Sequence, residues 1–152
     1  MKIIDNILSY NAKKPVSLAI GFFDGVHKGH RKIIQKAVRE AKQKHLLPSI
    51  LTFRVRPKDI VKKKSFFLTS FEHKLKIFER MGCELTFVVQ PEDRWFFNMT
   101  ADNFLIEIIV KKLNAAAVTV GENFYLGRNR ATRIKDMAGS FKKNKVKLNI
   151  LK

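Results

Sequence analysis

The chain is predicted to be an α/β domain with a five-stranded, mostly parallel sheet and helices on both of its faces. Short apolar runs of strand length alternate along the chain with longer segments in which apolar residues recur at helical spacing. Such an alternation implies right-handed crossovers between parallel strands. With 152 residues, 45% of them hydrophobic, the chain can build one proper core. We therefore expect one domain over residues 1–152.

Five apolar segments are predicted to form the sheet. They lie over residues 16–20, 50–53, 85–89, 116–120 and 146–150. The first of them is typical of a buried strand. In the last, Val146, Leu148 and Ile150 alternate with Lys147 and Asn149, which predicts a half-exposed strand.

Four helices are predicted between these strands from the spacing of their apolar residues. The spaced positions are Ile33, Ile34, Ala37, Val38 and Ala41, then Phe71, Leu75, Phe78 and Met81, then Phe104, Leu105, Ile108, Ile109 and Leu113, and finally Ile134, Met137, Ala138 and Phe141. A capping box formed by Thr69 and Glu72 is expected to open the second helix, and Gly82 to end it. Thr100 or Asp102 can cap the third helix.

A glycine- and histidine-rich loop joins the first strand to the first helix. It reads G-F-F-D-G-V-H-K-G-H from Gly21 to His30. The first turn of a helix carries unpaired N–H groups and a partial positive charge, which attract phosphate. His27 and His30 can donate hydrogen bonds to phosphate oxygens as charge develops on them. The pattern predicts a phosphate-binding loop; the alternative is that His27 is an ordinary loop residue and His30 caps the helix.

Two further loops are expected at the same edge of the sheet, because ligands of parallel sheets bind outside the carboxyl ends of the strands. One follows the second strand over residues 54–64, and the other follows the fourth strand from Gly121 to Arg130. The aromatic side chains of the second loop offer faces to a flat ring, and its arginines offer paired donors to phosphate. In the first loop, Pro57 biases Arg56 towards an extended backbone, which could aim it at a ligand. The alternatives are a surface turn for the first loop and, for the second, a turn with Phe124 in the core.

The composition favours a protein that meets anions. The 31 lysines and arginines exceed the 13 aspartates and glutamates, for a net charge of +18. Such an excess attracts nucleotides, nucleic acid or acidic membrane surfaces, although lysine runs are also common on solvated faces. The single cysteine excludes an intrachain disulfide and a cysteine metal cluster. The chain lacks both a signal-peptide pattern and an apolar run of about 20 residues, so we expect a cytoplasmic protein.

Taken in order, these motifs resemble the FMN adenylyltransferase module of bacterial FAD synthetases, which is usually fused to a riboflavin kinase module. The loop from Gly21 to His30 is similar to the family's signature. The family's T-F-x-x-x-P is matched from Thr52 to Pro57. Its L-T-x-x-E-K-L helix start is similar to the stretch from Leu68 to Leu75, and its G-x-D-F-x-F-G-x-x-R is close to the stretch from Gly121 to Arg130. The resemblance covers nearly the whole chain and implies a Rossmann-like nucleotidyltransferase fold. The H-x-G-H element alone is shared by the wider nucleotidyltransferase superfamily.

The resemblance implies that FMN and ATP react to give FAD and pyrophosphate. His27 and His30 would contact the ATP phosphates as catalytic residues, and Asp24 would brace the loop. The ATP site would consist of Gly21, Phe22, Phe23, Gly25, His27, Gly29 and His30. The flavin site would consist of Phe53, Arg56, Pro57, Asn123, Phe124 and Arg128. Magnesium would arrive with ATP, held by phosphate oxygens rather than by a protein metal site.

Three departures from the family pattern accompany the resemblance. Arg56 stands where the family usually has histidine, and Asn123 where it usually has aspartate. The family's I-S-S-T-x-I-R-like segment, which helps to hold the ATP phosphates, has no equivalent before Lys152, and we expect no riboflavin kinase module. We therefore expect a weak or incomplete adenylyltransferase.

Two other functions remain as alternatives at this stage. One is a different H-x-G-H nucleotidyltransferase, which would have no reason to bind flavin. The other is a non-catalytic basic homologue that binds nucleic acid; the net charge favours it, but no RNA-binding signature occurs.

Overall fold

Six parallel strands form the central sheet of the computed structural model, which describes residues 1–56, 59 and 66–152. The strands of this part of the chain are β1 (Lys2–Ile4), β2 (Val16–Ile20), β3 (Leu47–Phe53), β4 (Leu85–Val89), β5 (Ala115–Gly121), β6 (Tyr125–Leu126), β7 (Thr132–Arg133) and β8 (Lys147–Leu151). The sheet order is β1-β4-β3-β2-β5-β8, with every pair parallel. Strands β6 and β7 pair antiparallel in a separate hairpin. The predicted α/β class with a parallel sheet is confirmed.

The predicted number of five strands is wrong, because β1 adds a sixth at one edge of the sheet. Its three residues pair with β4, Lys2 opposite Leu85 and Ile4 opposite Phe87. A segment of three residues is too short to show a strand period in the sequence. Its extended form depends on the hydrogen bonds that the neighbouring strand supplies.

The helices are α1 (Lys28–Lys44), α2 (Phe71–Arg80), α3 (Arg94–Asn98), α4 (Ala101–Asn103) and α5 (Ala138–Lys143). Helix α4 continues directly into a π-helical stretch, Phe104–Lys112, and a 3₁₀ turn, Ile134–Met137, precedes α5. Further 3₁₀ turns lie at Ile7–Ser9, Asp24–Val26 and Arg128–Arg130. No helix within the described ranges is long and apolar enough to cross a membrane.

Separate apolar clusters cover the two faces of the sheet, as predicted. Helices α1 and α2 enclose one cluster, in which Ile34 and Phe78 are completely buried against Ala19 and Ile50 of the sheet. The π-helical stretch and α5 contribute to the larger cluster on the other face. Neighbouring residues of a strand point to opposite faces, so Ala19 joins the first cluster while Leu18 and Ile20 join the second.

Two of the predicted helix starts can be judged from the cap hydrogen bonds. Ser70, not Thr69, caps α2, because its hydroxyl oxygen accepts from the backbone N–H of His73 at 3.2 Å. Thr100 caps α4 in the same way, accepting from the N–H of Asn103 at 3.1 Å. The chain therefore enters α2 one residue later than the capping box implied.

The buried carboxylate of Glu40 joins α1 to the edge strand β8. Its Oε1 lies 2.7 Å from the Nζ atom of Lys147 and 3.0 Å from that of Lys44, and its Oε2 accepts from the Asn149 side chain at 2.6 Å. Burial alone would raise the pKa of Glu40, but the hydrogen bonds from Lys147, Lys44 and Asn149 outweigh it and lower the pKa to about 2. The carboxylate is therefore ionised at neutral pH. Its ion pair with Lys147 and its hydrogen bond from Asn149 hold α1 against β8, the edge strand that pairs with β5.

Because all six strands run parallel, the loops that follow β2, β3 and β5 leave the sheet at the same edge. These are the three loops that the sequence analysis placed there. Of the loop after β3, residues 57, 58 and 60–65 lie outside the described part of the chain.

Candidate active site

A left-handed residue bends the loop that follows β2. Phe23 has φ 56° and is 2% exposed, and its ring packs edge-on against the rings of His30 and Phe78. The ring also folds back over Gly21, where a Cβ atom would lie only 2.7 Å from it. Glycine at position 21 is thus required by this packing, because a side chain there would collide with the Phe23 ring.

His27 caps the first turn of α1, and this contradicts the alternative in which His30 does so. The His27 Nδ1 atom accepts from the backbone N–H of Gly29 at 3.2 Å, and His27 itself is the last extended residue before the helix. A Cβ atom at Gly29 would lie 3.2 Å from the His27 ring, which explains the glycine between the histidines. His30 lies within the first turn and is free of a capping role.

The two imidazole rings stack on each other. Their centroids are 3.5 Å apart, with 27° between the planes. The His30 Nδ1 atom is buried and finds no hydrogen-bond partner among the described residues. Burial, together with the neighbouring His27, lowers the pKa of His30 to about 4 against the opposing effect of Asp24. In the free protein His30 is therefore neutral at pH 7, and an anion beside it would favour its protonation.

A cleft of about 370 Å³ opens above this loop. Of the residues predicted for the ATP site, it is lined by Gly21, Phe22, Phe23, His27, Gly29 and His30. Gly25 is not among its lining residues; its φ of 71° lets the loop turn beside the Leu68 side chain. The opposite side of the cleft comes from the loop after β5, including Glu122, and from Leu151, the last residue of β8, with Lys152 beyond it.

A second cleft of about 1030 Å³ lies beside the first. Of the residues predicted for the flavin site, it is lined by Phe53, Arg56, Asn123 and Phe124. Arg128 lines neither cleft, and its backbone N–H donates to the carbonyl of Met99 at 2.8 Å. Pro57 lies outside the described residues.

The segment after β4 supplies much of this second cleft, which the sequence analysis did not foresee. Its lining includes Pro91, Glu92, Arg94, Phe96 and Phe97. The Phe96 ring packs edge-on against Phe53 at 5.1 Å and Phe104 at 5.3 Å between centroids. The run of aromatic residues in this segment was the feature of the sequence that could have predicted this lining. Trp95 and Phe96 pack against the core, and Phe96 and Phe97 line the cleft.

Four residues line both clefts and so form a common wall: Phe22, Arg56, Asn123 and Phe124. Arg56 is the only cation of the four. Its Nε atom pairs with the Asp59 carboxylate at 2.6 Å, its Nη2 donates to the Phe66 carbonyl at 3.0 Å, and its guanidinium lies 5.7 Å from the centre of the Phe22 ring. Two of its donors are thus engaged in holding the side chain in place between the clefts.

A buried lysine beneath this wall was also missed from the sequence. Lys74 of α2 is 3% exposed, and its ammonium donates to the Phe22 carbonyl at 2.9 Å. Burial lowers the pKa of Lys74 to about 8. The signal in the sequence is that Lys74 lies between Phe71 and Phe78 at the spacing of the apolar face of its helix, where a lysine is not expected.

Solved structures support the fold. The crystal structure of a macrolide-efflux protein from Streptococcus pneumoniae superposes on 99% of this chain and 50% of that chain, with a TM-score of 0.80 and 21% sequence identity. At that identity the likeness concerns the fold alone. It is consistent with the Rossmann-like arrangement of a parallel sheet between helices.

The sequence comparisons identify the family. The chain is 33% identical over 134 residues to the bifunctional riboflavin kinase/FMN adenylyltransferase of Escherichia coli (strain K12), covering 86% of this chain and 42% of that protein. It is 30% identical over 123 residues to the protein of the same name from Bacillus subtilis (strain 168), covering 79% of this chain and 38% of that one. The chain thus spans about two fifths of the length of these relatives. Residues 9–152 match the family described as FAD synthetase, and the chain belongs to that family.

Proposed function

We propose that this chain transfers AMP from ATP to FMN, giving FAD and pyrophosphate. The observation that carries the proposal is the common wall of Phe22, Arg56, Asn123 and Phe124. A transfer between two substrates needs two neighbouring sites that meet at the reacting atoms. Here a cleft with phosphate-binding character and a cleft rich in aromatic side chains meet along that wall.

The smaller cleft suits the triphosphate of ATP. It contains the N-terminus of α1, a helix of 17 residues, together with the stacked pair His27 and His30. The phosphate oxygen of FMN would attack the α-phosphorus of ATP while the bond from that phosphorus to the bridging oxygen breaks. The histidines would stabilise the negative charge that passes to the leaving pyrophosphate. The neutral His30 of the free protein would gain a proton as the phosphates bind.

Magnesium would enter as part of the ATP substrate. Within the described ranges, no three or more histidine, cysteine or acidic side chains are grouped so that they could hold an ion. The Asp24 carboxylate already accepts from the backbone N–H of Leu68 at 3.0 Å. This arrangement fits an ion that is coordinated largely by phosphate oxygens and water, as Mg²⁺ usually is in nucleotide sites.

The larger cleft suits the isoalloxazine ring of FMN. The cleft is lined by aromatic rings that offer apolar faces to a flat ring: Phe53, Phe96, Phe97, Phe124 and Tyr125. Its volume is at the upper end of the range for small-molecule sites. Arg56, on the common wall, would meet the FMN phosphate where that phosphate approaches ATP. In this assignment Arg128 has no part, whereas Arg130 is one of the lining residues.

The test combines binding and product analysis. FMN fluorescence is titrated with the protein, and a mixture of FMN, ATP and Mg²⁺ is then assayed for FAD and pyrophosphate. We expect flavin polarisation to rise and the two products to form in equal amounts. The proposal is wrong if FMN and riboflavin both give flat titrations at protein concentrations up to about 1 mM, because a dissociation constant above that value would be too weak for a substrate site. Adenylyl transfer to another acceptor would instead support a different H-x-G-H nucleotidyltransferase.

A further inference from the structure

The ammonium of Lys74 lies between the ends of two neighbouring strands. It donates to the carbonyl of Phe22, two residues beyond β2, at 2.9 Å, and to the carbonyl of Phe53, the last residue of β3, at 3.3 Å. The hydroxyl oxygen of Thr52 is a third neighbour at 3.4 Å. The ammonium also lies 4.4 Å from the centre of the Phe22 ring, within the range of a cation–π contact. A single charged group therefore joins both strand ends.

Burying a lysine is unfavourable unless its charge is compensated by such contacts. An apolar residue would be the usual choice at this position, because Phe71 and Phe78 mark the apolar face of the helix. The lysine instead supplies donors to carbonyl oxygens that emerge where the strands end and pairing stops. Lys74 itself lines neither cleft, whereas Phe22 lines both and Phe53 lines the larger one.

We propose that Lys74 is a positioning residue for the flavin cleft: its ammonium holds the backbone at Phe22 and Phe53 and thereby fixes two of the rings that line the cleft. The role rests on the proposed function, since it concerns the same cleft. Lys74 acts through the two phenylalanines and does not touch the substrate.

The charges around Lys74 give this role a pH dependence. Burial disfavours the protonated amine, Asp24 in the loop after β2 favours it, and Arg54 after β3 opposes it; the net effect is a pKa of about 8 for Lys74. Arg54 lies over the Phe71 ring at 4.3 Å. His30 is neutral at this pH because its pKa is about 4, so it does not titrate in the same range. As the pH rises through about 8, Lys74 loses its charge and its hold on the carbonyls weakens. Flavin affinity should fall over that range.

The experiment measures the affinity of the protein for riboflavin and for FMN by fluorescence polarisation between pH 7 and pH 9. Riboflavin is included because it has no phosphate whose binding could depend on other groups. The variants are Lys74→Met, which removes the charge and keeps the length, and Lys74→Arg, which keeps the charge. Lys76→Met is the matched control, since Lys76 lies on the same helix and is exposed. Thermal unfolding of each variant shows whether it folds.

We expect Lys74→Met to weaken the binding of both flavins about tenfold at pH 7, the effect of losing one charge-assisted hydrogen bond. Lys74→Arg should retain much of the affinity, and Lys76→Met should bind like the wild type. The wild type should lose affinity from pH 7 to pH 9, whereas Lys74→Met should show no such change.

Two results would overturn the role. One is a folded Lys74→Met variant that binds both flavins as the wild type does. The other is a wild-type affinity that stays constant from pH 7 to pH 9, and this measurement decides the matter even if Lys74→Met does not fold. A wild type that binds neither flavin would overturn the proposed function itself, which distinguishes that failure from the failure of Lys74 alone.

Discussion

The rings of His27 and His30 lie face to face, 3.5 Å apart between centroids, although both are bases that could carry positive charge. The contact is compatible with a neutral His30, whose pKa is lowered to about 4 by burial and by His27. It also leaves a buried Nδ1 atom without a hydrogen-bond partner in the described part of the chain. An anion bound beside the pair would stabilise the protonated form of His30. Because the pKa of His30 is lowered in the folded protein, the stability of the free protein depends on the pH.

The first prediction concerns that pH dependence. His30 has a pKa of about 4 in the folded protein and 6.5 as its ordinary value, so below pH 6.5 the unfolded chain binds more protons. The contribution of His30 to stability is fully present above pH 6.5 and is lost as the pH falls towards 4. Urea unfolding at pH 7, 6, 5 and 4 should show a smaller decrease for His30→Gln than for the wild type. Glu40, whose pKa falls from 4.5 to about 2 on folding, also loses part of its stabilising contribution near pH 4, but it does so in both proteins and cancels in the comparison. Equal decreases would contradict the prediction.

The second prediction concerns catalysis by the same residue. If His30 stabilises the charge on the leaving pyrophosphate, His30→Ala should lower kcat/KM for FAD formation by about 10²- to 10³-fold. His73→Ala is the control, because His73 is an exposed histidine on α2 away from the lining of either cleft. Circular dichroism of both variants establishes that they fold. A His30→Ala protein with normal activity per folded molecule would show that the histidine serves the structure and not the reaction.

The third prediction tests why position 21 is glycine. A Cβ atom at Gly21 would lie 2.7 Å from the Phe23 ring, so Gly21→Ala must displace a buried side chain. We expect a loss of about 1–3 kcal/mol in the free energy of unfolding, together with weaker ATP binding. Gly139→Ala, in helix α5, is the matched control, because a Cβ atom at position 139 would meet nothing within 4 Å. That variant should be neutral or up to about 1 kcal/mol more stable. Urea unfolding of both variants decides whether the packing of Phe23 selects glycine.

The positions of five strands of the central sheet and of the three loops could be predicted because each depends on a local pattern. The stretch from Val16 to Ile20 is apolar, and the glycines and histidines that follow it are close together in the sequence. The observed bounds of β2 and β4 are those predicted. The grouping of the three loops then followed from the general geometry of parallel sheets.

Other features depend on partners that are distant in the sequence. Strand β1 exists through pairing with β4, about eighty residues away, and Glu40 is buried through its contacts with Lys147 and Asn149 of β8. The sequence shows that Lys74 lies on the apolar face of its helix, but it does not show that its ammonium contacts Phe22 and Phe53. The π-helical hydrogen bonding of Phe104–Lys112 has no sequence signal that we recognise. These features are set by tertiary contacts, which spacing along one chain does not reveal.

The last prediction concerns Arg56. Its guanidinium stands on the common wall of the two clefts, held by Asp59 and by the Phe66 carbonyl. If it meets the phosphate of FMN, Arg56→Gln should weaken FMN binding about tenfold, since a charge-assisted hydrogen bond to phosphate is lost. Riboflavin, which has no phosphate, should bind the variant and the wild type within about twofold of each other. Arg39→Gln removes the same charge from an exposed position on α1 and should alter neither affinity.

Raising the salt concentration should weaken FMN binding more in the wild type than in Arg56→Gln, because the ion pair to the phosphate is screened. Polarisation titrations with both flavins measure all of these affinities. An equal loss of FMN and riboflavin affinity in Arg56→Gln would show that the arginine shapes the cleft and does not recognise the phosphate.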